Sequence, residues 1–137
     1  MFHIVDDDDE RCMLLGSLIH RAGYDFIHFY SAVAYLKYMQ TRCFEAPVAL
    51  LVNYMIPNMN GSELADAVCK QLPQQHIILM ASPAELEGGS IDGGRFYACL
   101  KKPIQDDVLL TLLNDLLIDQ LLYPKQKTIK LNVISID

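Results

Sequence analysis

Short apolar runs alternate with stretches of helical period along most of this chain, and few folds accommodate that rhythm. The runs fall at residues 2–5, 26–29, 48–52, 77–80 and 97–100. A strand covered on both faces reads as a continuous apolar run, and parallel strands need helical crossovers between them. The intervening segments carry matching stripes: Leu15, Leu18, Ile19 and Ala22; Leu64, Ala67, Val68 and Leu72; Leu109, Leu112, Leu113, Leu116 and Leu117. Spacings of three and four place each set on one helical face. The pattern predicts an α/β fold with a five-stranded parallel sheet wound on both sides by helices. Ser31 and Ser62 are expected to start the second and third helices, while Gly23 and Pro73 should end the first and third.

With 137 residues the chain fits one domain and can bury a core without a metal or disulfide staple. Its formal charge of −6 disfavours electrostatic binding to nucleic acid or anionic lipid, so protein partners are expected. No apolar run is long enough to span a bilayer and no signal-peptide pattern opens the chain, which predicts a cytoplasmic location. Cys12, Cys43, Cys69 and Cys99 form no C-x-x-C pair, so reduced and mostly buried thiols are expected. His3, His20, His28 and His76 lack metal-ligand spacing and read as core or surface residues.

Two segments depart from the rhythm. Between the fourth and fifth strands, Gly88, Gly89, Gly93 and Gly94 raise the entropy cost of a helix, so any helix there should be short and residues 87–94 mobile. After Pro124 the chain alternates polar and apolar residues over 128–134. The domain is therefore taken as residues 1–123, with 124–137 as a tail or an added strand.

Sites in open parallel sheets form outside the carboxyl ends of the strands. Here those ends carry Asp6-Asp7-Asp8-Asp9-Glu10, Asn53, Ala81-Ser82 and Lys101-Lys102-Pro103. Acidic groups facing a lysine suit a hard cation such as Mg²⁺ held by oxygen ligands. Asp8, Asp9 and Glu10 also favour the start of a helix, where negative charge is stabilised.

Three motifs in this order give the chain a family likeness. Ile4-Val5-Asp6-Asp7, the turn Met55-Ile56-Pro57-Asn58-Met59-Asn60-Gly61 and Lys102-Pro103 resemble the acidic pair, post-acceptor loop and lysine of bacterial response-regulator receiver domains. The resemblance spans roughly residues 1–121. It implies a flavodoxin-like sheet of strand order 2-1-3-4-5 and a two-component signalling role. It also implies a cation held by Asp6, Asp7 and the backbone carbonyl of Met55.

The chain departs from that family at three positions. Asn53 stands where the family has its phosphoacceptor aspartate, and an amide oxygen is a poor nucleophile. Ala81 replaces a hydroxyl residue, although a one-residue shift would bring Ser82 there. Cys99 replaces the aromatic that rotates on activation, with Tyr97 nearby. The resemblance with these losses implies a non-catalytic pseudo-receiver, shaped by Asn53 hydrogen bonding near Lys102. It would meet a histidine kinase, an output protein or a second copy of itself in a homodimer. No cofactor is required, and Mg²⁺ should bind weakly. Two alternatives remain open. One is a working receiver with Asp8, Asp9 or a deamidated Asn53 as acceptor. The other is a haloacid-dehalogenase-type phosphatase using Asp6, Asp8, Ser82, Lys102 and Asp106-Asp107.

Overall fold

The computed structural model describes residues 1–88 and 95–122 and the backbone of 133–134. Five strands, β1 (Phe2–Val5), β2 (Phe26–Phe29), β3 (Leu50–Asn53), β4 (Ile77–Ala81) and β5 (Ala98–Lys101), alternate with five helices. These are α1 (Asp9–Arg21), α2 (Ala32–Met39), α3 (Gly61–Gln71), α4 (Pro83–Gly88) and α5 (Asp106–Leu122). All strands pair in parallel in the order β2-β1-β3-β4-β5, as expected, and a two-residue strand β6 (Val133–Ile134) adds to β5. The rest of the 128–134 stretch lies outside the described residues.

Side-chain alternation along the strands divides the core into two layers. Phe2, Ile4, Leu51, Ile78, Met80 and Leu100 face α1 and α5, where Leu15, Leu18, Leu109, Leu112, Leu113 and Leu116 cover them. Val5, Leu50, Val52, Leu79, Ala81 and Cys99 face the other way, against Tyr35 of α2 and Leu64 and Val68 of α3. Burying a large aliphatic side chain is worth about 1.5–3 kcal/mol. The two layers thus supply the main force that holds the strand tips together.

β1 and β2 fall on the expected residues, and the other strand boundaries differ by one to two residues. β3 starts at Leu50 and ends on Asn53, because its register is set by β4, with Leu50 opposite Ile77 and Asn53 opposite Met80. Asp8 caps α1 and Ser31 caps α2, each accepting a backbone N–H three residues on. The third helix does not start at Ser62. Asn60 is its cap, accepting from the Glu63 N–H while the Glu63 carboxylate accepts from the Asn60 N–H. That reciprocal box satisfies two free donors at once, which a serine inside the first turn cannot do. Gly23 has φ +92° just past α1, where only a residue without Cβ is unstrained. α4 is six residues long, as short as expected, and residues 89–94 of the predicted mobile stretch lie outside the described residues.

Candidate functional site

Asp6, Asn53, Ser82 and Lys102 follow or end strands β1, β3, β4 and β5, so the parallel sheet delivers them to one edge. An open cleft there is lined by Asp7, Asp8, Arg11, Asn53, Met55, Ser82, Glu85 and Lys102. Asp6, bonded to Arg11 and Asn53 of that lining, is fully buried, whereas Asp7 is exposed.

The Asp6 carboxylate is heavily used. Its Oδ2 accepts the Arg11 Nε–H at 2.5 Å, and its Oδ1 accepts from Arg11 Nη2 at 3.2 Å. The Asp8 backbone N–H reaches the same Oδ1 at 3.1 Å and Asn53 Nδ2 reaches it at 3.3 Å. His28 Nε2 donates to the Asp6 carbonyl at 2.7 Å and lies 2.8 Å from Cys12 Sγ, fixing the backbone of the strand tip. The hydrogen bond to Asp6 holds the Arg11 guanidinium above its ordinary pKa, so it stays charged.

Asn53 is 2 % exposed, and its amide nitrogen donates to Asp6 Oδ1 and, at 2.9 Å, to the Met55 carbonyl. Both partners only accept, so the chemistry fixes which end of the amide is nitrogen. Asn53 Oδ1 is buried with no hydrogen-bond partner among the described residues. Gly61 brings the following loop tight against this strand tip: its N–H donates to the Tyr54 carbonyl at 2.7 Å. A Cβ there would lie 2.8 Å from the Asn53 carbonyl oxygen.

Lys102 lines the same cleft as Asn53. Its ammonium lies 3.7 Å from Glu85 Oε1, and its backbone N–H donates to the Ala81 carbonyl at 2.9 Å. Desolvation lowers its pKa and the Arg11 charge adds to that, against an opposing pull from Glu85. Ala81 points into the core, fully buried, while Ser82 lines the cleft. The Ser82 hydroxyl accepts the Glu85 N–H at 3.2 Å, and Glu85 accepts the Ser82 N–H at 2.7 Å. Cys99 is buried on the α3 side, and burial pushes its thiol up to about 11. Tyr97 points to the opposite layer, where its hydroxyl donates to Asp119 at 2.8 Å. Asp106 and Asp107 start α5, with Asp107 accepting the Val108 N–H, and neither lines the cleft.

Arg11 and Glu85 were missed by sequence reasoning, and both had a signal. Arg11 sits in the first turn of α1, where the helix dipole disfavours a cation unless a carboxylate holds it. Ser82-Pro83-Ala84-Glu85 is a capping box by spacing.

Residues 2–114 match the response regulator receiver domain family. The chain belongs to that family. The receiver is similar to a receiver-domain protein from Clostridium thermocellum, at 16 % identity and TM-score 0.77 over 88 % of this chain and 96 % of that one. A CheY-like receiver from Methanospirillum hungatei gives 24 % identity and TM-score 0.76 over 87 % and 94 %. The NtrX receiver from Brucella abortus gives 20 % and 0.75 over 86 % and 98 %. At these identities the likeness is one of fold. No curated protein matches the receiver by sequence. Among its described residues no helix is long and apolar enough to cross a membrane.

Proposed function

We propose that this receiver is a phosphorylation-independent module of two-component signalling, acting through contact with a protein partner in its resting shape. The observation that carries this reading is Asn53. The residue at the tip of β3, beside Asp6, offers two N–H donors to its neighbours in place of a nucleophilic carboxylate. The rest of the switch fits the same reading. Ala81 brings no hydroxyl to the cleft, and the Ser82 hydroxyl is engaged with the start of α4. Cys99 offers no ring to rotate, and Tyr97 is held in the other layer by Asp119. A phosphoryl group with no differential contacts could not shift the receiver between two shapes.

Receivers meet histidine kinases and output domains, and either is a candidate partner here, as is a second copy. A substitute acceptor is poorly supported: the Asp8 carboxylate caps α1, accepting the Arg11 N–H at 3.1 Å. Intact-mass spectrometry after incubation with acetyl phosphate and Mg²⁺ tests the reading. The chain should remain unmodified, and a Mg²⁺-dependent adduct of one phosphoryl mass would overturn it.

A further inference from the structure

The family likeness places a divalent cation at Asp6, Asp7 and the Met55 carbonyl, and the residues present do not fit one. A carboxylate offers about four lone-pair positions. Four N–H contacts already reach Asp6: those from Asp8, Asn53 and Arg11 Nη2 crowd Oδ1, and the Arg11 Nε–H is on Oδ2. The Met55 carbonyl accepts from Asn53, so the amide hydrogens occupy two of the oxygens a cation would need. Mg²⁺ demands near-octahedral oxygen ligands at about 2.0–2.1 Å, and to reach these oxygens it would have to compete with the N–H groups already on them. Asp7 alone, on the exposed rim, would leave a cation with mostly water.

We infer that Arg11 is a tethered cation that takes over the charge role of a divalent metal in this cleft and closes it to metal. The Arg11 side chain is only 22 % exposed, and its guanidinium meets Asp6 through two nitrogens. That planar fork matches a carboxylate in a way a lysine could not. Removing it would leave the fully buried Asp6 charge without its partner, and a mobile cation would then be drawn in. The inference deepens the phosphorylation-independent reading and rests on it for the role of Asn53. It concerns metal, though, where that reading concerns the nucleophile.

Calorimetric Mg²⁺ titration of the full chain tests it, comparing wild type with Arg11→Gln, Asn53→Asp and the double variant. Arg11→Gln should raise Mg²⁺ affinity at least tenfold over wild type, and the double variant should bind more tightly than Asn53→Asp alone. Equal affinity of wild type and Arg11→Gln, or low-micromolar binding by wild type, would overturn the inference. Should Arg11→Gln fail to fold, the Arg11 Nε–H resonance of the wild type decides. It should exchange slowly with solvent and stay in place in millimolar Mg²⁺, whereas a resonance that Mg²⁺ moves or erases refutes the assignment. A phosphoryl adduct on the wild type would sink the parent reading while leaving these outcomes intact.

Discussion

His3 should make this domain acid-sensitive in a way that one substitution removes. The ring is fully buried on β1, with Nδ1 2.9 Å from the Tyr35 hydroxyl and Nε2 without a partner among the described residues. Rings of Phe29, Tyr35, Tyr38 and Phe44 surround it edge-on, with centroids 5.6–6.1 Å away. Desolvation, with a smaller push from the N-terminal ammonium, lowers its pKa from 6.5 to about 4. Because the folded value lies below the unfolded one, the unfolded chain takes the proton first. The penalty is absent well above pH 6.5, grows as pH falls, and is complete below pH 4. Each pH unit between those values is worth about 1.4 kcal/mol, so near pH 4.5 the loss is about 2.5 kcal/mol. That is a large share of the roughly 5–15 kcal/mol that holds a typical domain folded. His3→Phe keeps the ring but leaves the Tyr35 hydroxyl unpaired, costing about 1–3 kcal/mol at neutral pH. Urea denaturation of both proteins at pH 7.5, 6.0 and 4.5 should therefore show the gap between them closing or inverting as pH falls. Parallel losses would refute a buried neutral His3, because every other titrating group is common to both.

Gly61→Ala should destabilise by about 1–3 kcal/mol, since the new Cβ would press on the Asn53 carbonyl at 2.8 Å. A thermal melt should show it as a fall of several degrees, and an unchanged midpoint would mean that the loop yields freely. Thiol labelling at pH 8 should modify exposed Cys43 first, with buried Cys12 and Cys99 reacting only on unfolding. Burial raises the Cys12 thiol to about 12 and the Cys99 thiol to about 11, far from the thiolate form. Fast labelling of either, mapped by peptide mass, would contradict that placement.

The sheet was legible because the central strands are apolar on both faces and the long helices carry stripes, two patterns that burial imposes. Strand ends were less so: Asn53 joins β3 because Met80 stands opposite it, a fact of register and not of composition. Ser62 was misread for a similar reason. Serine is a good cap in isolation, yet Asn60 has Glu63 at the reciprocal distance. At the site, strand-tip residues were readable because topology gathers them, whereas partner choice was not. The Lys102 ammonium meets Glu85, a residue of α4 that lines the same cleft and whose role no strand-tip motif announces. Arg11 was hidden by its setting: a single basic residue after five acids reads as a surface ion pair until Asp6 is known to be buried.

Sites that await a ligand commonly carry a cost in the resting protein, with like charges held together until something arrives to neutralise them. The cleft of this receiver is arranged differently. Arg11 balances the Asp6 charge, and the Asp6 carboxylate accepts from Asp8, Arg11 and Asn53, while Asn53 Oδ1 has no partner among the described residues. Folding itself supplies the buried carboxylate with its partners, so those contacts add to the cohesion of the strand tips. A buried carboxylate partnered in this way needs no ligand to neutralise it.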